Sequence, residues 1–416
     1  MSPRTYLPRI VDTELVDRLA RMGAVLIEGA KGCGKTETAS QHCASDVRLD
    51  TDDVARTTAE VAPTHVLDGP TPRLIDEWQV VPRLWNDVRR FIDDRQAPGQ
   101  FILTGSATPQ DDVTRHTGAG RISRLKMRTL SLWESGLSSG QVSLERLMSG
   151  DAQVSGTSPI TLNEMIEETC HGGWPNDRTK SWKSAQANVT DYCSDIVSAD
   201  IRTLDQVRRD PGRVALVMQS LARHTSTQAR LTTVAKDTAL GEDTVSSYVQ
   251  ALTRLMVVEP LPSWSPVLRS RARIRTASKH HFVDPALSAS LLNAGPDELR
   301  RDLKTYGFLF ESLALRDLRV YAQALGASVH HYLDSNDLEV DTIIDAGYRR
   351  WGAIEIKLGG AADYIEHAAT NLKAFATKVD TQSIGKPRFL AVVTSDGYAY
   401  VRPDGVIVLS LGLLRP

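Results

Sequence analysis

The stretch Gly29-Ala30-Lys31-Gly32-Cys33-Gly34-Lys35-Thr36 matches the pattern G-x-x-x-x-G-K-[ST] at every fixed position. The apolar residues 24–27 precede it, and residues 37–40, which can form a helix, follow it. This is the strand–loop–helix context that the pattern requires. The glycines allow backbone N–H groups to point into the loop, and the start of a following helix adds partial positive charge. The sequence therefore predicts that these eight residues form a phosphate-binding loop.

The last two residues of the loop indicate which ligand it takes. In loops of this kind the lysine, here Lys35, reaches the β- and γ-phosphates, and the hydroxyl of Thr36 ligates Mg²⁺. We therefore expect ATP and Mg²⁺ as cofactors, with ATP and ADP as the exchanged ligands. Cys33 lies at a variable position of the loop, where we expect a tolerated residue rather than a reactive thiol.

Length and composition narrow the class of protein. The chain has 416 residues, of which 41% are hydrophobic and 24% charged, which suits about two to four globular domains. Its 49 basic and 51 acidic side chains give a net charge of −2, so no overall attraction to nucleic acid is expected, although a local basic patch is compatible with it. No apolar run approaches the roughly 18 residues of a membrane span, and no apolar signal segment opens the chain. Four cysteines without paired metal spacing suit a reducing compartment, so we expect a cytoplasmic protein without a membrane partner.

Two further apolar runs end in polar residues, as strands that lead into an active site do. The first, residues 73–79, places Asp76 and Glu77 side by side. In a second nucleotide-binding element, Asp76 holds Mg²⁺ through water and Glu77 polarises the attacking water. The second run, residues 101–106, ends in Thr-Gly-Ser, which places Ser106 where it can touch the γ-phosphate and sense its loss. The alternatives are a strand that simply reaches the surface and a plain turn.

Strands that alternate with helices predict a parallel α/β sheet with ligands at the carboxyl ends of its strands. Along residues 10–135 the motifs run in the order phosphate loop, Asp-Glu strand, Thr-Gly-Ser strand and Gly120-Arg121 before a last strand. This order resembles that of AAA-type ATPases. More narrowly, the chain is similar to an uncharacterised prokaryotic family in which such an ATPase precedes a winged-helix segment and a nuclease-like domain. The resemblance implies that Arg121 completes a neighbouring subunit's active site, and hence a homo-oligomer; Arg115 and Arg124 compete for this role.

Residues 136–228 are predicted to be a linker followed by a helical lid. Residues 135–160 are rich in Ser and Gly and predict a surface linker with one helical turn. A helix over 162–170 then ends at His171-Gly172-Gly173-Trp174-Pro175, which resembles the turn that opens the lid of the same ATPase family. We expect a structural role for it, since glycine favours a helix end and proline stops further helix. Two amphipathic helices, near 180–205 and 211–224, follow.

Residues 229–295 predict a winged-helix-like segment, because helical patterns over 231–241 and 243–252 lead into a strand over 256–261. DNA binding would use an exposed face of the second helix formed by Thr244, Ser246, Ser247 and Gln250. That helix has no Arg or Lys before Arg254, which favours a contact with protein over one with DNA. A basic strip follows, either a site for a nucleic-acid backbone or a solvated loop. It consists of Arg269, Arg271, Arg273, Arg275 and Lys279, flanked by Trp264 and His280-His281.

The last part of the chain, residues 296–416, holds a second group of charged residues. Glu311 lies in an apolar helix, Asp341 in an apolar strand, and Glu355 and Lys357 share one face of the next strand. This order resembles the core of PD-(D/E)xK nucleases, an α/β restriction-endonuclease-like fold. The resemblance implies that Glu311, Asp341 and Glu355 bind Mg²⁺ while Lys357 orients or activates water. Such folds also serve as inactive binding modules.

The sequence thus predicts an ATPase domain over residues 1–135 that is joined to a lid, a winged-helix-like segment and a nuclease-like domain. Three functions are compatible with this arrangement. The first is an ATPase that gates DNA cleavage. The second is an ATP-switched regulator or scaffold that binds nucleic acid without cutting it, and the third is a switch that contacts only protein.

Overall fold

The N-terminal module is built on a five-stranded parallel sheet. The computed structural model describes residues 6–106, 118–204, 207, 209–265, 278–347 and 349–416. The strands of this sheet are β1 Ala24–Glu28, β2 Ser45–Arg48, β3 Arg73–Asp76, β4 Phe101–Gly105 and β5 Ile122–Lys126. They lie in the order β2-β3-β4-β1-β5 and pair in parallel. The helices of the module are α1 Val11–Leu19, α2 Lys35–Ser40, α3 Asp53–Val61, α4 Pro63–Leu67 and α5 Leu84–Arg95. The predicted parallel α/β sheet is confirmed.

The central strand β1 is buried on both faces. Val25 and Ile27 pack with residues of α1 and α2 in one core, whereas Ala24 and Leu26 pack with residues of α4 and α5 in another. Successive side chains of a strand point to opposite faces, so a strand between two helical layers requires an uninterrupted apolar run. The carboxyl ends of β1, β3 and β4 meet at one edge of the sheet, and this edge positions the residues of the phosphate-binding motif.

Residues 135–160, expected to be a surface linker, instead add short strands to the end of the chain. They form β6 Val142–Ser143, α6 Leu144–Ser149 and β7 Gly156–Thr157. β6 pairs with Leu414 and Arg415, and β7 pairs with Tyr398 and Ala399. The predicted helical turn corresponds to α6, and its apolar residues pack in the core of the C-terminal module. The composition concealed these strands, because each is two residues long and depends on a partner at the far end of the chain.

A helical region follows and includes one antiparallel pair of strands. Its elements are α7 Leu162–His171, α8 Trp182–Asp195, a π-helical turn Ile196–Asp200, α9 Ile201–Thr203, α10 Pro211–Arg223, α11 Leu231–Thr238, α12 Glu242–Arg254, the antiparallel pair β8 Val258–Leu261 and β9 Lys279–Phe282, and α13 Pro285–Leu291. On α12, Gln250 is exposed, whereas Thr244, Ser246 and Ser247 are partly buried. The expected polar face of this helix is therefore narrower than the sequence suggested.

The predicted basic strip is only partly surface. Its four arginines, Arg269 to Arg275, lie outside the described residues. Lys279, the fifth member, is 1% exposed, and the flanking Trp264 and His281 are also buried. Alternating spacing was the basis of the prediction, but the same alternation turns Lys279 and His281 inward once β9 pairs with β8.

The C-terminal module is a mixed sheet with helices on both faces. Its elements are α14 Pro296–Arg301, α15 Leu303–Ala324, β10 Ser328–Leu333, β11 Glu339–Asp345, β12 Trp351–Lys357, α16 Ala362–Lys378, α17 Thr381–Ile384, β13 Leu390–Thr394, β14 Tyr398–Val401, β15 Ile407–Ser410 and β16 Leu414–Arg415. β10, β11 and β12 pair antiparallel, and α16 then crosses to β13, which is parallel to β12. α15 packs on one face of this sheet and α16 on the other.

A buried ionic network joins the three parts of the chain. Asp284, the first residue before α13, accepts hydrogen bonds from the Thr129 hydroxyl at 2.7 Å and from the Gly173 N–H at 3.0 Å. Arg316 of α15 donates to Asp284 at 3.1 Å and to the neighbouring Asp317 at 2.8 Å. The three charged side chains are at most 1% exposed. The network therefore connects the exit of the N-terminal sheet, the turn after α7 and the C-terminal module.

Candidate nucleotide site and carboxylate cluster

The backbone after β1 requires glycine at two positions of the motif. Gly34 has a φ of +104°, a left-handed conformation that residues with a Cβ rarely adopt. A Cβ on Gly29 would lie 2.2 Å from the carbonyl oxygen of Met127, so glycine allows the loop to pass the exit of β5. α2 is only six residues long, so the partial positive charge at its start is smaller than that of a longer helix. The N–H groups of the loop itself are therefore the main candidates for contact with phosphate.

Lys35 and Thr36 lie at the start of α2, as the motif predicts. The buried Lys35 ammonium donates hydrogen bonds to the carbonyl oxygens of Gly29 and Ala30, at 3.0 Å each. The Thr36 hydroxyl donates to Oδ1 of Asp76 at 2.9 Å. The fold thus brings the phosphate loop and the carboxylate of β3 into direct contact.

Thr104, which lies outside the predicted site residues, ties Asp76 to Glu77. Its hydroxyl donates to Asp76 Oδ1 at 2.5 Å and accepts the backbone N–H of Glu77 at 3.0 Å. Thr104 is fully buried. Strand alternation places it on the same face as Ser106, two residues later, and this was the signal that could have identified it.

The side chain of Glu77 is held at the end of β3 by two polar neighbours. The Ser106 hydroxyl donates to Glu77 Oε2 at 3.2 Å, and the Gln79 amide donates to the same oxygen. The backbone of Glu77 has a φ of +51°, a conformation that costs a non-glycine residue about 1 kcal/mol or more and clusters at functional sites. The structure therefore places Ser106 against Glu77, whereas the sequence alone suggested a contact with phosphate.

Arg9, also unpredicted, holds the loop from the amino-terminal side. Its guanidinium donates to the carbonyl oxygens of Cys33 and Arg128, at 2.8 Å each, and pairs with Glu134 at 3.0 Å. Both members of this ion pair are buried. Nothing in the local sequence distinguishes Arg9 from a surface arginine, because its partners are far away in the chain.

Trp174, expected to belong to a purely structural turn, lies against the phosphate loop. Its indole N–H donates to the carbonyl oxygen of Lys31 at 3.2 Å, and its ring packs on Tyr192 with centroids 5.5 Å apart. A Cβ on Gly32 would lie 3.3 Å from the Trp174 ring. The turn after α7 therefore links the loop to the helical region.

A cavity of about 340 Å³ opens beside the loop, between the N-terminal sheet and the helical region. It reaches Gln79 and Ser106, the two partners of Glu77, so it gives water access to this end of the site. The ion pair of Lys31 with Asp200, at 3.4 Å, also lines it.

A second group of charged side chains lies in the C-terminal module, and we call Glu311, Glu339, Asp341 and Glu355 the carboxylate cluster. Lys357 Nζ lies 2.6 Å from Glu355 Oε2 and 3.5 Å from Asp341 Oδ2. Asp341 Oδ2 also accepts the backbone N–H of Ile356 at 2.8 Å. The antiparallel pairing of β11 with β12 therefore brings together Asp341, Glu355 and Lys357, as the spacing of these residues predicted.

Glu311 has a different partner from the one expected. Lys279, from β9, lies 3.3 Å from Glu311 Oε1 and 2.6 Å from Glu339 Oε1. In the described part of the chain, no three His, Cys, Asp or Glu side chains converge on one position that could hold a metal ion. The expected metal shell of Glu311, Asp341 and Glu355 is therefore not assembled, and Glu311 contacts Lys279 instead.

Burial perturbs the acids of the cluster. It raises the pKa of Glu355 to about 8, and the negative charge of Asp341 adds to the rise. It raises the pKa of Glu311 to about 8 as well, although Lys279 opposes the change. Burial lowers the pKa of Lys357, but the nearby carboxylates of Asp341 and Glu355 outweigh it and leave that pKa above the usual lysine range.

Comparison with known families agrees with the first site. Residues 21–135 match a family described as an AAA domain. With its phosphate-loop motif and parallel sheet, the N-terminal module is similar to P-loop domains of the AAA type. Residues 162–298 and 306–414 match two domains of unknown function, DUF8612 and DUF4143. Neither description names a winged helix or a nuclease, so both remain proposals for this chain.

Similar whole chains and solved structures cover most of the protein. The uncharacterised proteins Mb2031c of Mycobacterium bovis and Rv2008c of Mycobacterium tuberculosis are each 24% identical to it, over 82% of this chain and 71% of their own. A Walker-type ATPase of Pyrococcus abyssi is 12% identical and covers 69% of this chain and 96% of its own, with a TM-score of 0.41. A signal-transduction ATPase with a tetratricopeptide repeat sensor from Pyrococcus horikoshii is 11% identical over 77% of this chain and 50% of its own, with a TM-score of 0.21.

The residues of the P-loop domain fit MgATP. The Thr36 hydroxyl and the Asp76 carboxylate, both oxygen donors, lie in contact at the end of the loop, and Mg²⁺ prefers such oxygen ligands. In the carboxylate cluster, the neighbouring Asp341 and Glu355 fit one such ion, since Mg²⁺ is often held by one or two carboxylates with water completing its shell. No helix in the described residues is long and apolar enough to cross a membrane.

Arg121 lies far from the phosphate loop of its own chain. It precedes β5, beside the amino end of β1, where its carbonyl accepts the N–H of Ala24. The loop begins at the opposite end of β1, about 16 Å away at about 3.3 Å per residue. The exposed side chain pairs with Asp93 at 2.9 Å, a type of pair that is worth little. Arg121 therefore contacts Asp93 rather than the loop of its own chain.

Proposed function

We propose that the protein binds and hydrolyses MgATP at the loop of residues 29–36. The observation that supports this most is the hydrogen bond of 2.9 Å between Thr36 and Asp76. It joins the two groups that a nucleotide-bound Mg²⁺ requires next to the phosphates. On nucleotide binding, Lys35 exchanges its hydrogen bonds with the loop carbonyls for the β- and γ-phosphate oxygens. Mg²⁺, when bound, neutralises charge on these phosphates.

We assign the attacking water to Glu77. As a carboxylate at the end of β3, it accepts a hydrogen bond from water and orients that water toward the γ-phosphate. Thr104 fixes the Glu77 backbone, and Ser106 and Gln79 hold its Oε2. Ser106 therefore senses the γ-phosphate through Glu77.

Two substitutions separate binding from hydrolysis. We expect Lys35→Ala to abolish binding of a fluorescent ATP analogue, because it removes the cation that contacts the phosphates. We expect Glu77→Gln to keep the affinity within about threefold while kcat falls by about 100-fold or more. Lys386→Ala, an exposed lysine, is the matched control and keeps both values. If Glu77→Gln hydrolysed ATP at the wild-type rate, the assignment of the water to Glu77 would be wrong.

Arg121 extends this proposal to an assembly. We propose that it contacts the nucleotide of a neighbouring copy in a homo-oligomer. Its exposure and its distance from its own loop support this assignment over a role within one chain. Arg124 pairs with Glu28 at 2.5 Å, and Arg115 lies outside the described residues.

A second candidate function belongs to the C-terminal module. We propose that it is a restriction-endonuclease-like domain of the PD-(D/E)xK type. The order α15-β10-β11-β12-α16-β13 and the meeting of Asp341, Glu355 and Lys357 support this. Asp341 and Glu355 would hold the divalent ion, and Lys357 would hold or activate the water that attacks a phosphodiester.

Incubation with DNA tests the second candidate. Purified protein is mixed with plasmid or single-stranded DNA and Mg²⁺ or Mn²⁺, with and without ATP. Cleavage that is lost in Asp341→Ala supports a nuclease, and its loss in Lys35→Ala as well supports gating by ATP. Absence of cleavage while ATP is still hydrolysed favours the alternative, an ATP-switched regulator or scaffold.

The middle of the chain is proposed to be a winged-helix-like contact module. Three helices followed by a hairpin, α10-α11-α12-β8-β9, support this. The apolar face of α12 is buried and the helix ends at Arg254 without another basic residue, so protein is the favoured partner and DNA the second. A gel-shift assay at two salt concentrations distinguishes them, since binding to a nucleic-acid backbone weakens with salt. We keep 1–135, 136–228, 229–295 and 296–416 as proposed domain boundaries.

A further inference from the structure

Lys279 is a buried cation that one part of the chain supplies to another. It is the first residue of β9, within the segment 162–298, whereas its partners Glu311 and Glu339 belong to the C-terminal module. Its side chain is 1% exposed. An ammonium group that leaves water this completely is stable only when it is paired, and the contacts of 2.6 Å and 3.3 Å supply two partners.

Two ammonium groups divide the acids of the cluster. Lys279 contacts Glu311 and Glu339, and Lys357 contacts Asp341 and Glu355. Lys357 lies on the Asp341 and Glu355 side, and Lys279 lies on the Glu311 side.

The two lysines differ in exposure. Lys357 is 28% exposed, so solvent reaches the ammonium group that lies between Asp341 and Glu355. Lys279 is enclosed and lies in direct contact with both Glu311 and Glu339, so an ion shared by these two acids would have to take the place of the lysine. Its positive charge also acts on Asp341, which weakens any divalent ion bound there.

We propose that Lys279 is the resident cation of the carboxylate cluster on its Glu311 side, so that the cluster takes one divalent ion, at Asp341 and Glu355, and not a second. Glu311 is then a positioning residue for Lys279 rather than a metal ligand. The site is completed by the hairpin β8–β9, so a displacement of this hairpin would withdraw the ammonium and change the metal affinity of the cluster. This inference rests on the nuclease-like proposal for the C-terminal module.

Metal titration of the nucleotide-free full chain tests the proposal. Mn²⁺ binding is measured by calorimetry after removal of metal with EDTA, and the heat that remains in Asp341→Asn is subtracted. We expect Lys279→Met to bind Mn²⁺ at least tenfold more tightly than wild type or to gain a second ion, and we expect Glu311→Gln to reverse this gain. Lys279→Arg retains the charge and should titrate as wild type.

The outcomes are distinct. If Lys279→Met and wild type give the same isotherm, and Asp341→Asn abolishes it, Lys279 does not limit the site, although the proposed metal pair stands. If no variant binds Mn²⁺, both the inference and the metal pair are wrong, while the proposal for ATP is unaffected. If Lys279→Met does not fold, Glu311→Gln in the wild-type background decides: unchanged Mn²⁺ affinity supports the inference, and a tenfold loss overturns it.

Discussion

Replacement of Glu355 by glutamine should make the free energy of unfolding depend less on pH between pH 6 and pH 8. Burial and the charge of Asp341 raise the pKa of Glu355 from 4.5 to about 8. Between these two values the folded protein keeps a proton that the unfolded chain has released. The stabilisation from this group is therefore present in full below about pH 4.5. It decreases as the pH rises from about 4.5 and is lost once the pH has risen through about 8.

The size of the effect follows from the linkage relation. Each pH unit in this window changes the free energy of unfolding by up to about 1.4 kcal/mol for one proton. From pH 6 to pH 8, wild type should therefore lose up to about 2.7 kcal/mol more than Glu355→Gln, which stays neutral throughout. Glu311 titrates in both proteins, so the difference between them isolates Glu355.

Urea unfolding at pH 6, 7 and 8 measures this difference. Tryptophan fluorescence is a suitable signal, because Trp351 at the start of β12 is 2% exposed. EDTA is present, since a bound cation would favour the charged carboxylate. Glu366→Gln is the control. The Glu366 side chain is 64% exposed, so this variant should show the same dependence of the free energy of unfolding on pH as wild type. Parallel profiles for wild type and Glu355→Gln would refute the reasoning.

Three further predictions concern the network, the site and the assembly. Arg316→Met leaves two buried carboxylates unpaired and should destabilise the protein by about 3–5 kcal/mol in chemical denaturation, whereas Arg223→Met, whose side chain is 68% exposed, should cost less than about 1 kcal/mol. Thr104→Val removes two hydrogen bonds that orient Asp76 and Glu77, so steady-state kinetics should show a kcat about tenfold lower. The control is Thr57→Val, which removes an exposed hydroxyl. An unchanged kcat in Thr104→Val would contradict the role of Thr104 in orienting Asp76 and Glu77. The ATPase activity of wild type per molecule should fall on dilution, and Arg121→Ala should have the activity of diluted wild type at every concentration. If the activity of wild type did not depend on dilution, a role of Arg121 in a neighbouring subunit would be excluded.

Local sequence patterns were sufficient where local structure decides. The glycines and the lysine of residues 29–36 specify a loop that needs a left-handed residue at Gly34 and no Cβ at Gly29. The apolar run 24–27 specifies a strand buried on both faces. The alternation of strands and helices was enough to predict the parallel sheet, because two parallel strands must be joined by a crossover of about a dozen residues or more, usually a helix.

The sequence failed where a partner is distant. The two-residue strands β6 and β7 exist only through pairing with the last residues of the chain. Arg9 and Trp174 contact the phosphate loop from separate elements, and no periodicity in the chain encodes those contacts.

By itself, then, the sequence determined the loop, the sheet and the order of the charged residues, because backbone conformation and strand periodicity are local properties. The tertiary structure decided which charges meet. It paired Glu311 with Lys279 instead of with Asp341 and Glu355. It also buried Lys279, which the sequence placed in a basic strip. A charge that leaves water must have a partner within a few ångströms, and only the packing of β9 against the C-terminal module determines which partner that is.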